Sequence, residues 1–284
     1  MIAARRWAAA GALAVASAAP TGAQSWRTLE SSRQLRDSSE HQVRVAYGAG
    51  RLDVSATSEP VLYSMLLRYD ESLATALHRY DADRRTLTLG LGDMSVRLSH
   101  NVKDQARGEM RLALSRSVPM DLTFDLGATK ATLELGGLTL HDLRIESGAG
   151  EAFVSFGSPN PSSMRALDID VGAASLQMRE LANANTALVR VKGGVGSVDL
   201  GFGGQWMQDM AVDADLALGK LTLHVPPEVG VRVELRRFLA SFEHEGLTKR
   251  GDAFFSDNWD TARFRLRLHA STTIGGISID RAER

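Results

Sequence analysis

Apolar and polar residues alternate along most of the chain, and the alternation is organised around small residues. With Gly127 as position zero, apolar residues lie five and three positions earlier (Leu122, Phe124) and four and six positions later (Ala131, Leu133). The same template fits seven zero positions: Gly48, Gly127, Gly148, Gly172, Gly194, Ala217 and Thr273. From Gly127 to Ala217 these positions are 21, 24, 22 and 23 residues apart. Period-two alternation is typical of strands, so each unit predicts two short strands around a corner.

A repeat of about 22 residues with two strands predicts an all-β fold, a single-stranded parallel β-solenoid that is β-helix-like. The inward-facing residues lie at odd-numbered positions before the corner and at even-numbered positions after it. A bend at the corner must therefore absorb one residue, and small residues permit such a bend. Stacked coils would pair strand on strand at about 4.8 Å and line up the inward residues. An antiparallel meander or sandwich also alternates with period two, but it does not explain the fixed phase on both sides of each corner. A solenoid would expose strand edges at its two ends, so end-to-end self-association is a further hypothesis.

Four segments outside the strict repeat carry separate predictions. Residues 61–69 alternate and favour a strand, although a helical face also fits them. Residues 86–98 alternate around a partial copy of the corner. Residues 25–42 are polar and predict a linker or a short capping helix, and residues 243–260 are polar and predict a loop.

The N-terminus has the pattern of a cleavable export signal. Arg5 and Arg6 precede an uncharged, alanine-rich stretch at residues 7–19, and the small residues Thr21 to Ala23 suit cleavage before Gln24. An alanine-rich N-terminal helix is the alternative interpretation. The predicted organisation is therefore a signal peptide at 1–23, a polar linker or cap at 24–42 and one β-solenoid domain at 43–284. No other stretch approaches about 18 consecutive apolar residues, so we expect no integral membrane span after leader removal.

Composition excludes several classes of protein. The chain has no cysteine, which rules out a disulfide framework, a lipid-modified cysteine and any thiolate site. Removing Arg5 and Arg6 from the 33 basic residues leaves 31 against 34 acidic ones, a net charge of −3. No basic stripe remains, so nucleic acid is not expected as a partner.

Glycine-rich corners invite two ligand hypotheses, and neither fits well. The glycines at 148 and 150 are followed by a strand pattern rather than by the helix that a phosphate-binding fingerprint needs. Residues 193–199 resemble the start of a calcium-binding nonapeptide repeat, but Val198 stands where that motif has its aspartate.

Candidate catalytic and metal-binding residues are scattered. The seven histidines form no metal-binding spacing. The nearest carboxylate clusters are Asp168 with Asp170 and Asp213 with Asp215, on outward positions of strands, where solvated charges are ordinary. Four aromatic residues lie in predicted loops, where they can contact a partner or plug an end of the fold: Trp206, Phe254, Phe255 and Trp259. We assign no catalytic, cofactor-binding or metal-binding residue and expect no cofactor.

Three segments carry a resemblance to a known family: residues 47–52 (YGAGRL), 121–128 (DLTFDLGA) and 143–152 (LRIESGAGEA). They resemble the toast-rack domain, the related LiaF-like cell-wall-active-antibiotic-response proteins and solenoid domains of candidate adhesins. The similarity covers about residues 43–279. It implies an envelope-facing β-solenoid, in some members coupled to envelope-stress signalling, with no catalytic residue to carry over. LiaF-like regulators have membrane helices before the solenoid, whereas this chain has a cleavable leader, so direct control of a membrane kinase is not expected.

The sequence therefore predicts an exported, non-enzymatic protein of the cell envelope, periplasmic or on the cell surface, that acts as a binding, scaffold or envelope-stress module. Its partner would be an unidentified envelope component or protein. The alternatives are an enzyme acting on polysaccharide, with Asp168 and Asp170 in its site, and a self-assembling, adhesin-like protein.

Overall fold

The computed structural model describes residues 25–92 and 108–281, which form one sheet of fifteen strands and a short 3-10 helix at Leu181–Ala184. The strands are β1 (Trp26–Gln34), β2 (His41–Thr57), β3 (Val61–Asp70), β4 (Thr75–Asp81), β5 (Thr86–Gly92), β6 (Glu109–Ser115), β7 (Pro119–Glu134), β8 (Thr139–Ser155), β9 (Ala166–Arg179), β10 (Leu188–Gly201), β11 (Met210–His224), β12 (Gly230–His244), β13 (Leu247–Arg250), β14 (Ala253–Ser256) and β15 (Arg265–Asp280).

Eight long strands form a parallel stack in the order β2, β7, β8, β9, β10, β11, β15, β12. Equivalent template positions lie beside one another in this stack. Leu122 of β7 pairs with Leu143 of β8, and Ala131 pairs with Ala152. All four apolar positions of all seven template units are at most 5% exposed. The predicted phase of the apolar positions is therefore correct, and these positions form the core.

Each template unit is one continuous strand of 14 to 17 residues with a bend at its corner, rather than two separate strands. The ladder continues on both sides of the bend: Leu126 pairs with Ser147, and Ala128 pairs with Ala149. The residues on either side of the corner, Leu126 and Thr129, are both buried, while Ala128 is exposed. The bend thus changes which alternate residues face inward, as predicted. Small residues at the bend allow this change while the strands stay paired on both sides.

The sheet is mixed, so the prediction of a wholly parallel arrangement was wrong. At the N-terminal end, β5 lies parallel to the first half of β2 and β6 lies parallel to its second half. Antiparallel strands follow outward, β4 on β5 and β3 then β1 on β6. At the other end, β14 and then β13 add antiparallel to β12. Within the described residues, antiparallel strands thus cover parts of both ends of the stack. The predicted alternation at 93–98 lies outside the described residues.

The chain order and the spatial order differ at the C-terminal end, because β15 lies between β11 and β12. A Cβ at Gly275 of β15 would lie 1.8 Å from the carbonyl oxygen of Gly219 in β11, so the close approach of these two strands requires glycine there. The equivalent residue of β12 is Ala240, which faces Gly275 across the β12–β15 pair. Inside the stack, β7 and β9 carry Thr129 and Ala174 at the same position, so a missing glycine does not by itself place a strand at the end.

Two polar segments form strands that the sequence analysis did not predict. Residues 25–42 contain β1, which pairs with β3, instead of a linker or capping helix. The polar segment 243–260 contains the hairpin β13–β14 instead of a loop. Both lie at the ends of the sheet, where one face of a strand stays in water and polar residues are tolerated. The strand predicted at 61–69 is confirmed as β3, and its helical alternative was wrong.

Glu134 closes the turn after β7. Backbone N–H groups of Gly136 and Gly157 each donate to its Oε1 at 2.9 Å, and the hydroxyl of Ser155 donates to Oε2. Burial alone would raise the pKa of this carboxyl, but the three hydrogen bonds outweigh it and lower the pKa below the ordinary 4.5.

Glu134→Gln is expected to lower the free energy of unfolding by about 1–2 kcal/mol at pH 7, because the glycine N–H groups then bond an uncharged oxygen and the Ser155 hydroxyl loses its acceptor. Because the pKa of Glu134 is lower in the folded state than in the unfolded state, the ionised carboxylate stabilises the fold fully above pH 4.5. This stabilisation is lost as the pH falls through the pKa of the folded state. Urea melts at several pH values should therefore show that the difference in unfolding free energy between the wild type and Glu134→Gln becomes smaller below pH 4.5. Glu151→Gln, which removes an exposed pair with Lys130, should cost only a few tenths of a kcal/mol at any of these pH values.

Candidate binding groove

A row of charged side chains crosses the outer face of the stack, four residues before each corner. From β8 to β12 the row reads Arg144, Asp168, Arg190, Asp213, His269 and Glu234 on neighbouring strands. Arg190 Nη1 donates to Asp168 Oδ1 at 2.8 Å. His269 lies between two carboxylates, with Nδ1 3.2 Å from Asp213 and Nε2 3.3 Å from Glu234. The Arg190–Asp168 ion pair joins two neighbouring strands of this face, and opposite charges in register contribute modestly to strand pairing.

The hairpin β13–β14 extends the sheet past β12, and together they enclose a groove of about 760 Å³ that reaches back to β10. Both signs of charge line it. The cations are Arg190, Lys192, Arg232, Arg236 and Arg250. The acidic residues are Asp213, Asp215, Glu234 and Asp252, with His269 among them.

Phe255 on β14 holds two of these cations in place. The guanidinium carbons of Arg232 and Arg250 lie 5.6 and 5.7 Å from its ring centroid, within the range of cation–π attraction. Arg232 Nη2 donates to Glu234, and Arg250 Nη1 lies 3.5 Å from Asp260. Arg232 Nε is buried and has no hydrogen-bond partner within the described residues. The groove thus has an ordered cationic wall on its hairpin side.

A second row of groove residues lies two positions before the corners and is unpaired. Lys192, Asp215 and Arg236 form no ion pair within the described part of the chain. Lys192 and Asp215 lie opposite each other on β10 and β11. Charges without an ion-pair partner among the described residues are available to a ligand, and a ligand with polar and charged groups would fit them.

The carboxylates proposed from sequence lie in two places. Asp213 and Asp215 line the groove. Asp168 is held by Arg190, and Asp170 lies beside Lys192 on the next strand. The sequence analysis named these residues as an outward pair but did not predict the cationic wall, because the wall comes from a hairpin that was expected to be a loop.

The four aromatic residues that were predicted in loops lie in different surroundings. Trp206 is 9% exposed, donates from Nε1 to the carbonyl of Phe202 at 3.0 Å and stacks on Phe264, so it packs into the fold. Phe254 packs against Phe242. Phe255 and Trp259 contact each other at the groove end, their ring centroids 5.8 Å apart.

The glycine-rich corners form bends within strands, as the structural interpretation predicted. The glycines at 148 and 150 lie inside β8. Residues 193–199 form the corner of β10, and Asp199 Oδ2 lies 3.3 Å from His224.

Within residues 25–92 and 108–281, one group of residues has ligand atoms close enough for a metal ion. Atoms of Glu40, Asp121 and His141 all lie within 4.8 Å of one another. His141 is the extra residue at a register shift between β7 and β8, which turns its ring toward Glu40 at 2.8 Å. Arg165 Nη2 already donates to Asp121 Oδ1 at 3.0 Å and competes with a cation there. His100 lies outside the described residues.

The chain belongs to the family described as the N-terminal domain of toast_rack, DUF2154, whose model matches residues 22–179, more than half of the sequence. The resemblance noted from the corner motifs is therefore confirmed. No curated protein matches the chain. Within the described residues, no helix has the length and hydropathy needed to cross a bilayer.

Solved structures resemble the chain at low identity. A candidate adhesin from Bacteroides fragilis NCTC 9343 has a TM-score of 0.48 and 12% identity, covering 89% of this chain and 97% of its own. A candidate cell adhesion protein from Clostridium sporogenes ATCC 15579 has a TM-score of 0.46 and 11% identity, covering 90% of this chain and all of its own.

Proposed function

We propose that the protein is an exported, non-enzymatic component of the cell envelope, periplasmic or on the cell surface. In this proposal its stack of bent strands is a stiff solenoid scaffold that binds an envelope glycan carrying charged substituents. The groove beside the β13–β14 hairpin carries the proposal. The export signal predicted at residues 1–23 supports the location, and membership of the toast-rack family fits an envelope role.

The chemistry of the groove favours a charged glycan over a small uncharged ligand. A volume of about 760 Å³ is within the range of small-molecule sites and would hold a few sugar units. Arg236 and Arg250 can each donate several hydrogen bonds to a carboxylate or phosphate, and Asp215 can accept from an amine or hydroxyl group. Charged groups at fixed spacing on a polymer would match such a row across neighbouring strands.

Co-sedimentation with separated envelope fractions tests this proposal. We expect saturable binding of the exported protein to sacculi or to another glycan-bearing fraction. Removal of two groove cations, in R236A/R250A, should weaken binding about a hundredfold or more, because each lost charge-assisted contact is worth about 1.5–3 kcal/mol.

A matched double variant, R51A/R79A, removes the same charge from exposed positions away from the groove and should bind like the wild type. Binding that falls equally in both variants would show a non-specific charge effect and contradict the groove proposal. Release of soluble sugar products by the wild type, abolished in D168N/D170N, would instead support the alternative of a polysaccharide-acting enzyme.

A further inference from the structure

Four large aliphatic side chains stand exposed in one line on four neighbouring strands. Val195 on β10 is 55% exposed, Leu218 on β11 43%, Ile274 on β15 45% and Leu239 on β12 64%. Each pairs in parallel register with the next, so the side chains follow one another at the strand spacing of about 4.8 Å. We call these four residues the corner ridge.

The corner ridge projects from the outside of the bend. The residues on either side of it along β11 are Ala217 and Gly219, and along β15 they are Thr273 and Gly275. Small neighbours on these two strands leave Leu218 and Ile274 standing above the surface. The ridge is therefore one residue wide and convex, unlike the concave groove.

The same position is small in the first half of the stack, where Ala128, Ala149 and Ala173 occupy it and are exposed. The change from alanine to large aliphatic residues falls between β9 and β10. It also falls after residue 179, where the match to the family ends. The corner ridge is thus a feature of the part of the chain that the family model does not cover.

The charged residues beside the corner also change between β9 and β10. Two positions before the corner, the alanine half carries only acidic residues on β7, β8 and β9: Asp125, Glu146 and Asp170. The ridge half carries Lys192 and Arg236 there, with Asp215 between them. Lys220, on the other side of the ridge, is also exposed. The aliphatic side chains are therefore flanked by three cations and one carboxylate.

We propose that the corner ridge is a contact surface for a bilayer that contains anionic lipids. The four side chains enter the boundary between headgroups and acyl chains, and Lys192, Lys220 and Arg236 contact lipid phosphates. Apolar side chains above a cationic rim are the combination that binds peripheral proteins to anionic membranes, because buried apolar area and charge attraction add.

The shape of the ridge favours a bilayer over a second copy of the chain. A stable protein interface buries about 800 Å² on each partner, and two convex ridges one residue wide meet only along their crests. A fluid lipid layer closes around each projecting side chain, so a narrow ridge can bury its full exposed surface there. This contact shares Lys192 and Arg236 with the groove, but its four aliphatic side chains do not line the groove, so its failure would leave the glycan proposal untouched.

Sedimentation with synthetic vesicles tests the corner ridge. The exported protein, with its N-terminus read by mass spectrometry, is mixed with vesicles of phosphatidylglycerol and phosphatidylethanolamine or of phosphatidylcholine alone. We expect binding to the anionic vesicles that is at least tenfold stronger than to the neutral ones and that weakens with salt. L218Q/I274Q should reduce binding to the anionic vesicles about tenfold, and K220Q a few fold.

The matched control is F153Q/M207Q, which replaces two other exposed apolar residues, 38% and 39% exposed, that lie away from the ridge. It should bind like the wild type, and thermal melts should show all variants folded. Equal binding by wild type and L218Q/I274Q, or no binding by either, would overturn the proposal. A dimer of the wild type in sedimentation without vesicles, lost in L218Q/I274Q, would also overturn it and assign the ridge to a second copy.

Discussion

Replacing Gly275 with alanine is expected to lower the free energy of unfolding by about 4 kcal/mol or more, enough to remove most of the stability of an ordinary domain. A Cβ at this position would lie 1.8 Å from the carbonyl oxygen of Gly219 and 2.8 Å from its carbonyl carbon. These are backbone atoms of the neighbouring strand, so no side chain can move aside. The backbone of Gly275 also has φ +137°, which L side chains rarely adopt.

Two control substitutions separate the steric clash with Gly219 from the strain of the backbone conformation. Gly203→Ala adds a Cβ that meets nothing within 4 Å, and it should change stability by less than about 0.5 kcal/mol. Gly251→Ala also meets nothing, but its φ is +62°, so it should cost about 1 kcal/mol from backbone strain alone. Urea denaturation measures all three. A Gly275→Ala protein as stable as Gly251→Ala would contradict the close approach of β15 and β11.

The second large effect is expected from Phe124→Ala. Phe124 lies on the inward face of β7, has no exposed surface and pairs with Val45 of β2 and Ile145 of β8. Truncation leaves a cavity in the middle of the stack, where neighbouring strands cannot close in because their ladders fix their spacing. Phe→Ala substitutions in such cores cost about 3–5 kcal/mol.

Phe153→Ala provides the same chemical change on the outward face of β8, where the side chain is 38% exposed. It should cost about 1 kcal/mol or less, because little apolar surface is lost from the core. Equal destabilisation by the two substitutions would contradict the assignment of inward and outward positions.

The core of the fold could be predicted from sequence because its signal is periodic. In every template unit the same four positions are apolar, and stacking them in register is the way to bury all of them. The bend at each corner was predictable for the same reason, since parity changes between positions three before and four after the zero residue.

The ends of the fold could not be predicted in the same way. β1 and the β13–β14 hairpin have one face in water, so their polar residues look like loops. β12 and β15 have the same alternating apolar pattern, so that pattern does not contain the information that β15 lies between β11 and β12.

The groove was predicted only in part. Asp213 and Asp215 were named from their outward parity, whereas Arg232, Arg250 and Phe255 come from β12 and the hairpin. These residues become neighbours only after the chain has folded back on itself. The corner ridge did have a sequence signal, the change from Ala173 to Val195 and Leu218 at the position after the corner.

Hydrogen exchange of the protein bound to its envelope glycan tests the central claim most directly. The account predicts that backbone amides of residues 247–256 in the β13–β14 hairpin, and of the first half of β12, become protected when solubilised glycan fragments bind. Amides of β4, far from the groove in the sheet order, should exchange at the same rate with and without glycan. Binding with unchanged exchange in the hairpin, or with protection confined to another surface, would contradict the assignment of the groove.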